Sequence, residues 1–249
     1  GTRDAYLCRT YNADGYIMTT TDMCVKRSHK WDNYGIDLLK SKDLIHWTSV
    51  TIDFRKYSPT IQRVWAPQIF WDPNYRWTNG EKGGYMIYYS ILDKKVCPYD
   101  RMYYSYADKS FTHITTPKLL FDWGYATIDA DINYLKSDHL YHLLIKKEGG
   151  NPGIYTTTSK SLTGPWDKPS DNDYVNFEGK KLCEGPSAFQ LIGDKTWRVA
   201  YIQYSDHPKH YRICKADEHL KKFSDPVDIQ GVNGPQHGSF MRITKAEYD

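Results

Sequence analysis

The chain has 249 residues and a formal net charge of +3, and its 22 Tyr, 8 Trp and 8 Phe give it a marked aromatic bias. That length can bury one large core, so residues 1–249 are expected to form a single domain. The near-neutral charge includes no block of Lys and Arg, which removes the electrostatic case for nucleic acid or a membrane surface, and no apolar run approaches the ~20 residues of a membrane span.

In chain order, five stretches set polar or turn-forming residues directly before an apolar strand. They are "TRDAYL" from Thr2, "VWAPQIFW" from Val64, "TIDADINYL" from Thr127, "CEGPSAFQL" from Cys183 and "PQHGSFMRI" from Pro235. A second series of aromatic, β-branched strands lies between them: "GYIMTTT" from Gly15, "GYMIYYS" from Gly84, "HLYHLLIKK" from His139 and "TWRVAYIQY" from Thr196. Each is followed downstream by a polar, turn-rich segment, as in "SKDLIHWT" from Ser41 and "ADEHLKKFSDP" from Ala216. A recurrence of roughly 50–70 residues matches a four-stranded propeller blade. The predicted fold is therefore all-β, a five-bladed β-propeller with its polar entrances converging on one axis. Frequent Gly and Pro argue against long helices, and only Lys40 to His46 reads as a short helical piece. Too little chain follows Pro235 for a full blade, so the fifth is expected to borrow strands from the chain before Pro235 or from the N-terminus.

Three of the entrances carry carboxylates: Asp4, Asp129 with Asp131, and Glu184. Cleavage of a glycosidic bond needs two carboxyl groups with opposite duties, one protonated and one ionised, and their surroundings set which is which. Taken singly, Asp4 reads as a frayed terminal residue and Glu184 as a solvated turn before Gly-Pro. Asp129 and Asp131, two apart in a strand, should share a face, where paired like charges need a partner or a purpose. Their recurrence at matching points of a repeat favours a shared site. His237 stands at the fifth entrance, where it could bind substrate, position water or help hold an ion. Trp65 reads either as a ring platform or as ordinary core.

Other chemistries find less support. There is no Gly-rich phosphate loop, no H-E-x-x-H and no G-x-S-x-G. His207, His210 and Cys214 have a zinc-like spacing but no complementary pair nearby. Cys8, Cys24, Cys97, Cys183 and Cys214 are odd in number and follow no metal spacing, which reads as free, buried thiols.

The ordered set "RDA", "WAPQ", "IDAD", "CEGPS" and "HGSF" resembles glycoside hydrolase family 43, and the resemblance spans nearly the whole chain. It implies an inverting hydrolase with Asp4 as general base, Glu184 as general acid and Asp129 as the carboxylate that tunes the acid. Asp131 is the rival for that third role, and Ala5 replaces the family's common Pro. The resemblance also implies a carbohydrate substrate bound by Trp65, Asp131, Lys146 and His237. No cofactor is required, although a calcium ion near the axis is compatible with the family. The family's targets are α-L-arabinofuranosides, β-D-xylosides, arabinan and galactosides. With no appended β-sandwich, the expectation is an exo-acting α-L-arabinofuranosidase, monomeric and secreted or periplasmic. The alternatives are a β-xylosidase or galactosidase of the same fold, a retaining fructosidase-like propeller, or a non-catalytic sugar-binding propeller.

Overall fold

The computed structural model describes residues 1–249 apart from Asn176, Glu178, Lys180, Lys181, Asp206 and Asp249. Among the described residues the strands form four antiparallel meanders. The first comprises β1 (Thr2–Arg9), β2 (Tyr16–Asp22), β3 (Gly35–Ser41) and β4 (Trp47–Asp53). The second comprises β5 (Arg63–Arg76), β6 (Lys82–Leu92), β7 (Arg101–Ala107) and β8 (Lys118–Phe121). The third has β9 (Thr127–Leu135), β10 (Leu140–Lys147) and β11 (Gly153–Ser159), with a single bridge from Tyr155 to Tyr174 at its outer edge. The fourth has β12 (Cys183–Gln190), β13 (Trp197–Gln203), β14 (His210–Ala216) and β15 (Val227–Asp228). Two single-turn helices, α1 (Val25–Ser28) and α2 (Lys245–Tyr248), complete the elements used below. The fold is a β-propeller.

Each sheet stacks face to face on the next, so its middle strands are covered on both faces. That is why β6 is buried from Gly83 to Leu92 and reads as a continuous aromatic run rather than an alternating one. One core joins the first two sheets through Ile17, Leu38, Phe54, Ile87 and Tyr89. A second joins sheets two and three through Met86, Tyr88, Ile132, Leu143 and Trp166, and a third joins sheets three and four through Leu144, Phe177, Val199 and Tyr201. Each large apolar side chain so buried contributes about 1.5–3 kcal/mol of transfer free energy. The tyrosines bring their hydroxyls into these cores with partners: Tyr88 donates to Gln68 Oε1 at 3.0 Å, and Tyr89 shares a hydrogen bond with Ser105 at 2.6 Å.

The blade count differs from the sequence expectation: among the described residues four sheets form, not five. Neither predicted loan takes place. The N-terminal strand β1 is the inner strand of the first sheet, and β15 is the outer strand of the fourth. The stretch from Pro235 instead runs as an irregular strap between β12 and β1. Its Ser239 Oγ accepts from Leu7 N at 3.0 Å, Phe240 stacks on Phe189 at 3.9 Å, and Glu247 of α2 binds Arg9 and Tyr16. Lys40 to His46 is not helical either. Ser41 Oγ accepts from Leu44 N and Asp43 Oδ1 accepts from Ile45 N and His46 N, and these side-chain bonds give the backbone a turn in place of a helix. All five cysteines are free; Cys97, Cys183 and Cys214 are buried, while Cys8 and Cys24 are partly exposed. His210 pairs with Asp228 rather than joining a zinc site.

Candidate active site

The inner strands β1, β5, β9 and β12 stand side by side around the axis. Each breaks register near its N-terminal end against the next strand of its sheet: between Arg3 and Tyr6, between Trp65 and Gln68, between Ile128 and Asp131 and between Glu184 and Ser187. Each of these four breaks holds one residue in the left-handed region, with φ of 50° at Asp4, 48° at Ala66, 55° at Asp129 and 62° at Gly185. A bulge of this kind kinks the strand and re-aims its side chains. Asp, with its short polar side chain, tolerates this backbone better than most residues, and Gly tolerates it freely. Ala66 has neither advantage; its N–H is anchored to Thr21 Oγ1 at 2.9 Å. The repeat therefore lies in backbone geometry, and it corrects the alignment expected from sequence. Asp4 and Asp129 occupy the left-handed position itself, whereas Glu184 sits one residue before it, level with Arg3, Trp65 and Ile128.

At this level the four strands enclose a cavity of about 70 Å³ lined by Asp4, Asp129, Glu184, Trp65 and Ile128, with Gln236 and His237 from the strap. So the fifth predicted entrance reaches the site without forming a strand. Asp129, 4% exposed, is the hub. Its Oδ2 accepts from Gly185 N at 3.1 Å and faces His237 Nε2 at 3.3 Å. Burial alone would lower the His237 pKa, but Asp129, Asp4 and Glu184 around it push it up to about 10, so the ring is a cation at neutral pH. Burial, then the Asp129 charge, raises the Glu184 pKa, while His237 and Lys146 oppose the rise. Gly185 is needed for this packing, since a Cβ there would fall 2.7 Å from the His237 ring.

Two expected substrate-binding residues lie outside the cavity. Lys146 is fully buried; its Nζ donates to Cys183 O at 2.9 Å and to Tyr204 Oη at 2.6 Å, pinning the backbone just before Glu184. Asp131 is sealed deeper along β9, where its Oδ2 accepts from Ala188 N at 2.9 Å and Asn133 Nδ2 at 2.7 Å. The bulge at Asp129 breaks the period-two alternation that would have put both aspartates on one face. Of the two rivals, the structure places Asp129 in the pocket.

Several pocket residues carried no signal in the sequence. Trp31, from the loop after α1, stands edge-on to Trp65 with ring centres 6.2 Å apart. The Arg3 guanidinium lies 5.2 Å over Trp31, and Arg63 lies 3.9 Å over Trp65. Met23 and Gln236 close the wall. These positions depend on loops and on the strap folding back, which no local pattern encodes. Among the described residues no group of three or more His, Cys, Asp or Glu is set to hold a metal ion such as the calcium compatible with the family.

A propeller with carboxyl groups of opposed surroundings meeting at one end of its axis defines a class, the carbohydrate-cleaving propeller hydrolases. The comparisons make this specific. Residues 1–249 match the family described as "Probable glycosyl hydrolase domain", related to glycoside hydrolase family 43, and the chain belongs to it. A curated relative, an alpha-L-arabinofuranosidase of Bifidobacterium longum subsp. longum, is 24% identical over 264 residues; the match takes in 89% of this chain and 24% of the relative. The chain thus spans about a quarter of that protein's length. Among solved structures, a thermostable family-43 glycoside hydrolase superposes with a TM-score of 0.63 at 17% identity, covering 96% of this chain and 78% of its own. An endo-arabinase from Bacteroides thetaiotaomicron does so with a TM-score of 0.65 at 15% identity, over 92% of this chain and 81% of its own. These likenesses concern the fold. Among the described residues, no helix is long and apolar enough to cross a membrane.

Proposed function

We propose that this chain is the catalytic domain of an inverting, exo-acting α-L-arabinofuranosidase. One observation carries the reading: Asp129 Oδ2 bridges Gly185 N and His237 beside a largely buried Glu184 whose pKa is raised. Glu184, holding its proton, donates it to the departing glycosidic oxygen. Asp4, in the lining of the same cavity, takes a proton from the water that attacks the opposite face of the sugar, which inverts the anomeric carbon. Asp129 fixes the backbone next to the acid, and its charge favours the protonated form of Glu184. His237, as a cation, offsets the negative charge of the carboxyl groups around it. No step calls for a metal or a cofactor.

The sugar assignment draws on the arabinofuranosidase relative. Exo action, on a terminal residue, is part of the same reading. A monomer acting outside the cell, folded as one domain, is the accompanying expectation. A purely sugar-binding propeller would have no use for a carboxyl whose pKa is raised by burial and a neighbouring carboxylate, which favours the enzyme. The test is release of p-nitrophenol from the α-L-arabinofuranoside and from the β-D-xyloside, with the first product anomer followed by proton NMR. The expected product is arabinose with inverted configuration. A retained anomer, or full activity in Glu184→Gln, would overturn the assignment.

A further inference from the structure

Away from the acids, sheets two and three border a cleft of about 760 Å³, a volume in the range of ligand sites. Strand β5 sets its distance from the axial cavity. Trp65 lines the cavity and Asp72, seven residues later on the same strand, lines the cleft, roughly 20 Å further on at the rise of a β-strand. The walls are largely tyrosine. Tyr75 stacks on Tyr106 with ring centres 3.6 Å apart, Tyr104 stands edge-on to Tyr106, and Tyr141 enters from β10. Asp72 is the one carboxylate in the lining among the described residues, and it is engaged: its Oδ2 accepts from Tyr106 Oη at 2.7 Å and its Oδ1 from Asn74 N at 2.9 Å. The hydroxyls of Tyr75, Tyr104 and Tyr141 have no hydrogen-bond partner among the described residues, and burial raises the pKa of all three, so each keeps a proton to donate. Arg76, Lys118 and Lys160 line the same cleft from three separate segments; all are exposed, and none has a carboxylate partner among the described residues.

We propose that this cleft is a second glycan-binding site, for an acidic polysaccharide whose uronate carboxylates pair with Arg76, Lys118 and Lys160. Charge selects the ligand: three unpaired cations face one carboxylate that is already hydrogen-bonded. A uronate ring joins a carboxylate for a lysine or arginine to hydroxyls for a tyrosine and an apolar C–H surface for an aromatic wall. A neutral glycan would make no use of the cations. A nucleic acid needs a longer basic track than three side chains set around one cleft. The carbohydrate class follows from the family to which the chain belongs. Such a site holds the protein on a charged polysaccharide while the axial cavity stays free for the side groups. Binding there does not rest on Glu184 being the acid, because the two sites share no lining residue.

The test is calorimetric titration of the intact protein with a galacturonic acid pentamer, beside its carboxyl-reduced neutral counterpart and an oligonucleotide of equal charge. The acidic pentamer should bind, and bind more tightly than either control. The double variant Lys118→Ala with Lys160→Ala, both exposed positions, should weaken it about 3–20-fold. Tyr104→Phe, which removes only a hydroxyl, should weaken it about 2–5-fold. Hydrolysis of the p-nitrophenyl arabinofuranoside should be unchanged in the double variant and unaffected by saturating pentamer. The site is wrong if the wild type does not bind the pentamer, if either control binds as well, or if the double variant binds it undiminished. Competitive inhibition of hydrolysis by the pentamer would place it in the axial cavity and overturn the site as well. If the pentamer binds as expected but no glycoside is cleaved, the second site stands and the hydrolase reading fails alone.

Discussion

The propeller axis holds two carboxylate neighbourhoods on the same strand, two residues apart, and they handle charge in opposite ways. At the pocket level Asp129 faces a protonated His237, with Asp4 and Glu184 close by, so charge is balanced between side chains that can gain or lose protons. One step deeper, Asp131 has no ionic partner among its hydrogen bonds. It is held by the Ala188 N–H and the Asn133 amide, and burial raises its pKa to about 7. The first arrangement suits proton traffic. The second ties sheet three to sheet four. A carboxylate in an enzyme interior is thus defined by whether its partners can titrate, more than by its depth.

The variants that would break this contrast have unequal effects. Glu184→Gln removes the proposed proton donor and should cost roughly 10²–10⁴-fold in kcat on an unactivated glycoside, while the thermal midpoint stays close to that of the wild type. A midpoint that collapses with the activity would mean Glu184 is holding the fold. Asp129→Asn should cost less in rate but move the pH profile. Burial and the Asp129 charge both raise the Glu184 pKa, so without that charge the acid loses its proton at lower pH. The alkaline limb should then shift toward acid. An unmoved limb would remove Asp129 from the tuning role. Gly185→Ala would put a Cβ 2.7 Å from the His237 ring at a φ of +62°, and should destabilise by about 1–3 kcal/mol in chemical denaturation. If its stability is unchanged, the close seating of His237 on Gly185 is not a constraint.

How much of this the sequence disclosed follows from what local patterns can encode. Four of the five polar entrances became inner strands, because a turn signal ahead of an aromatic, β-branched run is local information. The fifth did not, since pairing in a blade depends on partners elsewhere in the chain. Yet its His237 reached the pocket through the strap. Glu184, Asp4 and Asp129 were legible as recurring acids. The off-by-one placement of Glu184 was not, because it depends on which bulge residue takes positive φ, and Ala66 shows that residue type alone does not settle this. Trp31 was invisible for a different reason: it is one aromatic in a polar loop, and only the fold brings it against Trp65. Asp131 looked equivalent to Asp129 because a strand without a bulge would have made it so.

Asp131 provides the smallest effect on activity and the clearest effect on stability. The neighbouring Tyr6, Tyr88 and Tyr211 hydroxyls are pushed up by burial, and the Cys8 thiol is raised to about 12, so none of them titrates near neutrality. In the unfolded chain Asp131 ionises near its ordinary value of 3.8, while in the folded protein it holds its proton to about pH 7. Between those values the folded state binds the extra proton. The stability this group contributes is therefore complete below about pH 4 and is lost as the pH rises through 7, by on the order of 4 kcal/mol for a shift of this size. Asp131→Asn cannot ionise. Denaturation curves from pH 4 to 8 should show its stability rising relative to the wild type across that window, with kcat on an arabinofuranoside changed far less than in Glu184→Gln. Parallel curves would mean that Asp131 is ionised throughout and that its two N–H donors are enough to hold the charge. A loss of kcat comparable to that of Glu184→Gln would put Asp131 back in contention for the role assigned to Asp129.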